Sequence, residues 1–289
     1  MRILLTGSNG MLGSAIYGAT LDRGWRCEPL LRNGIDLSSP DNVKAIVSEY
    51  DILIHAAANT NVEECEIKPA ECYRDNTMLT EILSNAAQCS GVRMVYISST
   101  GVYGNRKDVP YHEFDEVSPT THHHRAKWLG EQAVLRDHRS LVVRVGWLFG
   151  GDPSNKKNFI ARRVEEALES KSEIHSNHEQ KGCPTFVCDV AERLIYLLEN
   201  GLSGLFNCVN TGNASRFEYV ESILKMVGLN IPVNPVSAKL FARKAQVSNN
   251  EMAINLKQEI LGLTPMRDWQ DALREYIDDR IFPAFHNKL

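Results

Sequence analysis

RILLTGSNGMLG, residues 2–13, decides how the rest of the chain is read. RILLT has the composition of a short buried strand, and it stops at a glycine-rich turn. Helical text follows from Gly10 to Asp22, with Met11, Leu12, Ile16, Tyr17, Ala19 and Leu21 as its apolar content. In such a strand–turn–helix, Gly7 permits the tight turn, Gly10 lets the backbone approach a pyrophosphate, and Gly13 lets helix and strand pack closely. Amide groups at the helix start and the helix dipole would hold the negative charge. The candidate cofactor residues of this turn are Gly7, Asn9, Gly10, Met11 and Leu12. The spacing is GxxGxxG rather than GxGxxG, so the frame around it, more than the spacing, favours a dinucleotide over a bare glycine turn.

Outward from this unit the same rhythm repeats. CEPLL, DILIHAAA, VRMVYISS and LVVRVGWLF read as strands. SPDNVKAIVSEY reads as a helix with Pro40 after a Ser39 cap, and NTMLTEILSNAAQCSG as an amphipathic helix ended by glycine. A loop is expected from about Ser99 to Thr120, and a helix from about His122 to Asp137. Unalternating apolar strands separated by helices mean a parallel sheet covered on both faces, an α/β fold of the doubly wound type. After Gly150 the pattern loosens: helices are expected at 158–170, 187–200, 250–262 and 267–279, GLFNCVN as a late strand, and LNIPVNPVSA as irregular. A boundary is placed near residue 150, with later segments returning to the first unit.

Net charge is −4, with no basic tail or stripe, which argues against nucleic acid or an anionic membrane surface as partner. No apolar run reaches the roughly 18 residues of a membrane span, and the N-terminus lacks the longer apolar segment of a signal peptide. The seven cysteines form no CxxC pair and read as reduced thiols of a cytoplasmic protein. A homodimer is compatible with the sequence, which does not specify one.

Dinucleotide choice is read near the end of the second strand, where the text is Leu30-Leu31-Arg32-Asn33. No acid stands there to grip a ribose 2′-hydroxyl, and Arg32 suits a 2′-phosphate. NADP(H) is therefore preferred and NAD(H) is the second choice. Asp36 and Leu37 are further candidates, near the adenine.

TGSNGMLG, HAAANTNVEECE, YRDNT, YISSTGVYG, HHHRAK, RVGWLFG and KGCPT occur in this order and spacing. Together they resemble the extended short-chain dehydrogenase/reductases, and within them most of all the dTDP-4-dehydrorhamnose reductase group. The resemblance implies a Rossmann domain at 1–150 and a smaller C-terminal α/β domain at 151–289 that binds mainly the nucleotide sugar. It also implies hydride transfer from NAD(P)H to a hexose carbonyl, usually C4, in making an activated deoxysugar for surface polysaccharide. By the same resemblance Ala56, Ala57 and Thr60 flank the cofactor. Ser99 takes the catalytic hydroxyl position, and Lys127 that of the lysine that also holds the nicotinamide ribose. Asn61, Val62, Thr100 and Trp147 lie toward the sugar, and Gln180 and Thr185 lie where the second domain meets it.

The family pattern has a tyrosine four residues before the lysine, and here that residue is His123. Three readings follow. His123 is the acid, as an imidazolium of pKa about 6.5 that Lys127 would depress. Another group gives the proton, among Tyr103, Tyr111, His122 and His124. Or the chain binds nucleotides without chemistry. An epimerase of the same superfamily is a further alternative, since SSTGVYG resembles epimerase text. The acidic pair of a dehydratase is replaced by Thr100-Gly101. Consecutive helical residues point about 100° apart, so the histidine run cannot converge on an ion and no metal is expected there. His55 reads as a satisfied polar residue at the cofactor's edge.

Overall fold

Along β1 (Arg2–Thr6), Ile3 and Leu5 turn to one layer and Leu4 to the other, and all three are buried. The same division holds in β3 (Ile52–His55), β4 (Arg93–Ser99) and β5 (Leu141–Val145): Ile54, Val95 and Val143 on one side, Leu53, Met94 and Val142 on the other. Strands apolar on both faces stay in place only between two helical layers. The computed structural model describes residues 1–31, 39–170, 172–241 and 243–286. With β2 (Arg26–Leu30) and the strand Gly204–Cys208, these form a six-stranded parallel sheet. Its spatial order is β2, β1, β3, β4, β5, then Gly204–Cys208. The late strand therefore returns to the first sheet across the boundary placed at residue 150.

Helix α1 (Met11–Asp22) packs against the helix Val187–Glu199 on one face through Leu12, Ile16, Val190, Leu194 and Ile195. The other face is covered by α2 (Pro40–Val47), then, beyond α3 (Val62–Ile67) and α4 (Pro69–Tyr73), by α5 (Leu79–Cys89) and α6 (His122–Val134). Each fully buried Leu, Ile or Val side chain of these layers contributes about 1.5–3 kcal/mol. Ser39 caps α2 by accepting from the Asn42 amide, with Pro40 as the first helical residue. α4 runs into α5 through a π-helical stretch at Arg74–Met78.

Three segments depart from the expected pattern. LVVRVGWLF is two strands, since the chain leaves the sheet at Gly146 and Trp147–Phe149 pairs with Pro184–Phe186. A β-carbon at Gly146 would lie 2.4 Å from the Cys183 carbonyl, so only glycine allows that crossing. LNIPVNPVSA holds a strand, Val233–Val236, paired with Ile174–Asn177. Its prolines are tolerated because a two-stranded ribbon has free edges. The helix expected at 250–262 is a short strand, Asn250–Glu251, and a short helix, Leu256–Ile260.

Candidate active site

The strand order reverses between β1 and β3, and the crevice beyond the carboxyl ends of such strands is where α/β sheets bind ligands. Gly7 ends β1 with φ 73°, and a β-carbon there would lie 2.6 Å from the Ala57 amide nitrogen. A β-carbon on Gly13 would lie 2.0 Å from the Gly7 carbonyl. Both positions are closed to a side chain, because main chain approaches main chain there. Ser8 Oγ is buried in this turn without a hydrogen-bond partner, and α1 opens at Gly10 without a side-chain cap. An orphaned hydroxyl and the uncapped amides of a helix start, on a tight glycine turn, fit a pyrophosphate.

Ala56 and Ala57 form the opposite wall, held by Ala57 N donating to Thr6 Oγ1 at 3.2 Å. Asn9 is exposed, Met11 reaches toward Gly151, and Leu12 is turned into the core, so only its backbone faces the turn. Thr60 and Asn61 are exposed, and Asn61 caps α3, where Val62 is the first residue, by accepting from the Glu64 amide at 3.2 Å. Arg32, Asp36 and Leu37 lie outside the described residues. His55 is bonded at both ring nitrogens, to Thr6 Oγ1 at 2.7 Å and Thr80 Oγ1 at 3.2 Å. Burial, then the charge of Lys127, pushes it down to about 3.

Helix α6 begins under a Thr121 cap that accepts from His124 N at 3.2 Å. His123, Lys127 and Glu131 then follow at four-residue intervals and share one face. Glu131 is fully buried and receives Arg144 of β5 at 2.9 and 2.7 Å. This two-point contact fixes the helix rotation and so aims the lysine and the histidine. Lys127 Nζ lies 4.0 Å from the centre of the Tyr96 ring. Burial pulls its pKa down to about 7 against the opposing pull of Glu131. His123 Nδ1 donates to the Asn59 carbonyl at 3.0 Å, which leaves Nε2 as the bare nitrogen of the neutral ring. Burial first, then the charges of His124 and Lys127, pushes His123 down to about 3. The depression expected from Lys127 is deepened by burial, so the imidazolium is suppressed at neutral pH.

Ser99, at the end of β4, is half-buried and its Oγ accepts from Gly101 N at 3.1 Å. The hydroxyl hydrogen is left to donate elsewhere. Thr100 is buried beneath it. The alternative proton donors are engaged. Tyr103 donates to Asn207 Oδ1 at 2.8 Å, and Tyr111 to the Gly104 carbonyl at 3.1 Å. His122 Nδ1 meets Tyr73 OH and His124 Nδ1 meets Thr121 Oγ1, each at 3.1 Å.

Across from α6 stands Trp147, whose Nε1 donates to Glu251 Oε2 at 2.6 Å. Its ring is packed between Gly182, where a β-carbon would lie 2.3 Å away, and the Arg216 guanidinium, 3.4 Å from the ring centre. Gln180 and Thr185 stand behind this wall: Gln180 Nε2 donates to the Ser248 carbonyl at 3.3 Å, and Thr185, fully buried, to the Cys183 carbonyl at 2.9 Å. The structure therefore gives them a supporting position, with both hydrogen bonds turned to the backbone. Arg216 and Glu251 were not singled out from the sequence. Arg216 follows a Ser215/Glu218 capping box that marks a helix start, a signal for the helix and not for its cation. Glu251 has no local signal.

The chain is similar to known proteins over nearly its whole length. The family model described as RmlD substrate binding domain matches residues 1–281. The dTDP-4-dehydrorhamnose reductase of Mycobacterium tuberculosis is 30% identical over 279 residues, covering 94% of this chain and 91% of that protein. The spore coat polysaccharide biosynthesis protein SpsK of Bacillus subtilis is 27% identical, covering 96% of this chain and 98% of that one. The crystal structure of dTDP-4-dehydrorhamnose reductase from Bacillus anthracis in complex with NADP superposes with a TM-score of 0.89 at 27% identity, covering 96% and 99%. Among the described residues no helix is long and apolar enough to cross a membrane.

Proposed function

Because the chain belongs to the RmlD substrate binding domain family of extended short-chain dehydrogenase/reductases, we propose that it is an NADPH-dependent reductase of a 4-keto-6-deoxy nucleotide sugar. Its place is in making an activated deoxysugar for surface polysaccharide. The observation that carries this reading is Ser99 and the His123–Lys127 face of α6, together with a tight glycine turn that holds an orphaned Ser8 hydroxyl and an uncapped helix start. Gly7, Ser8 and Gly10 would hold the pyrophosphate of NADPH, which when bound supplies a hydride to the carbonyl carbon. Ser99 donates a hydrogen bond to the carbonyl oxygen as negative charge develops on it. Lys127 is the proton source in this reading, since it is the site cation poised near neutrality. Neutral His123 fixes the Asn59 turn through its Nδ1–H. A panel of 4-keto nucleotide sugars tests the assignment: stoichiometric NADPH consumption supports a reductase. Cofactor returned unchanged after sugar inversion points to an epimerase, and binding without turnover to a non-catalytic protein.

The pH profile separates the proton donors. An acid must be protonated to act, so the reaction weakens as pH rises through the donor's pKa. With Lys127 near 7, kcat/KM is expected to be flat below neutrality and to fall about tenfold per pH unit above it. An imidazolium donor at His123, near 3, would have lost its proton long before neutrality. His123→Tyr brings back a phenol of pKa about 10 and is expected to carry the plateau to higher pH. A profile of His123→Tyr identical to that of the parent would remove the tyrosine position from the proton path.

Arg216 is assigned to the diphosphate. It is partly buried, sits on Trp147, and among the described residues forms no salt bridge. Burial lowers it to about 10 against the opposing pull of Glu251, and Arg243 and Arg163 add to the lowering. A guanidinium placed this way can take a diphosphate through charge-assisted hydrogen bonds. Arg216→Gln is expected to raise KM for the nucleotide sugar about 10- to 100-fold with kcat little changed, the loss of one charge-assisted bond made equally in ground and transition states. Steady-state kinetics checks it, and a change in kcat alone would place Arg216 elsewhere.

A further inference from the structure

Cys65 lies on α3, Cys72 on α4 and His123 on α6, three helices packed on one another. Their sulfur atoms and an imidazole nitrogen all lie within 4.8 Å of one another. All three side chains are buried, with exposures of 0%, 0% and 7%. His123 Nδ1 and Cys72 Sγ share one neighbour, Asn76 Nδ2, at 3.4 and 3.5 Å, which puts Nδ1 on the cysteines' side of the ring. We propose that Cys65, Cys72 and His123 form a binding site for a borderline-soft divalent cation of the zinc type, with one coordination position left over.

The donor set is the first argument. Two thiolates and an imidazole prefer zinc-like ions to the hard cations that oxygen ligands select. Geometry is the second. Tetrahedral zinc at its usual bond lengths needs ligand atoms about 3.5–3.8 Å apart, so from separations within 4.8 Å the trio must close by at most about 1.3 Å, within reach of side-chain rotations. Charge is the third. Both thiols release their protons on binding, and two thiolates neutralise a divalent cation, so the filled site buries no net charge. Asn76 Nδ2 already points at Cys72 Sγ, as an outer partner of a thiolate should. The histidine run does not build this site by itself: His122 turns to Tyr73 and His124 to Thr121. Only His123 takes part, and its partners come from two other helices. A cation on Nδ1 would also move the ring proton to Nε2, the nitrogen left bare by the bond to Asn59.

Cobalt(II) reports such a site without any turnover, so its result is independent of the proposed reductase activity. Protein stripped of metal under reducing conditions is titrated with cobalt(II). One equivalent is expected to give a thiolate-to-cobalt charge-transfer band and intense tetrahedral ligand-field bands, which zinc(II) then displaces. The bands should vanish in Cys65→Ser and Cys72→Ala and persist in Cys89→Ser and Cys188→Ser, whose thiols are exposed. Should a cysteine variant fail to fold, alkylation of the unsubstituted chain replaces it: zinc(II) is expected to protect Cys65 and Cys72 at least tenfold. Absence of the charge-transfer band, bands that survive both cysteine substitutions, or equal alkylation with and without zinc overturns the proposal.

Discussion

Exchanging Lys127 for methionine is expected to lower NADPH oxidation about 1000-fold, the middle of the range for a lost proton-transfer group, while raising resistance to denaturant. Both effects come from one cause. Lys127 is 5% exposed, and among the described residues its ammonium meets the Tyr96 ring face and the partial compensation of Glu131. A buried cation held this way costs stability, and methionine fills nearly the same volume without charge. The gain is expected at about 1–3 kcal/mol. Its pH dependence has a definite sign. The folded-state pKa of about 7 lies below the ordinary 10.5, so between those values the unfolded chain binds more protons than the folded one. Stability of the parent protein therefore rises with pH across that window. The advantage of methionine is largest below pH 7 and shrinks above it. Denaturant unfolding of both proteins at pH 6 and pH 9 measures this. A variant less stable than its parent at pH 6 would show that Tyr96 and Glu131 fully offset the buried charge, and would weaken the assignment of Lys127 as the poised acid.

What could be read from the chain in advance was whatever depends on backbone geometry or on short spacing. The glycine turn was legible because Gly7 and Gly13 are demanded by close approach of main chain, a property each glycine carries alone. The lysine and the missing tyrosine were legible because four-residue spacing on a helix needs no tertiary knowledge. The break of LVVRVGWLF at Gly146 was hidden, since its apolar run continues without change while its hydrogen-bond partners switch from β4 to Pro184–Phe186. Arg216 and Glu251 meet on Trp147 from positions distant in sequence, and nothing local marks either one. The meeting of Cys65 and Cys72 with His123 is likewise a product of three packed helices; spaced as they are in sequence, the cysteines look scattered. The direction of the His123 shift was legible, since Lys127 stands four residues on, but its size was not. The ring's ordinary pKa follows from residue type, but the shift to about 3 follows from burial beside two other potential cations.

Gly13→Ala is the second large effect. The added β-carbon would start 2.0 Å from the Gly7 carbonyl oxygen and 2.7 Å from its carbonyl carbon. Both atoms are main chain, so no side-chain rotation can relieve the contact, and either α1 must lift from β1 or the turn must open. Lifting α1 disturbs Leu12 and Ile16, which pack into the sheet layer shared with the helix Val187–Glu199. Overpacking of this kind costs about 1–3 kcal/mol. Opening the turn moves the Ser8 hydroxyl and the amides at the start of α1, the groups assigned to the pyrophosphate. Losing about one charge-assisted hydrogen bond to the pyrophosphate is expected to lower NADPH affinity on the order of 100-fold. Gly18→Ala is the matched control: it lies in the same helix, and a β-carbon there meets nothing within 4 Å. That substitution should leave affinity unchanged and, by removing a mid-helix glycine, stabilise the fold by about 0.5–1 kcal/mol. Cofactor titration by fluorescence on both variants separates a turn built for a ligand, where only Gly13→Ala loses binding, from a turn that merely packs, where stability falls and affinity does not.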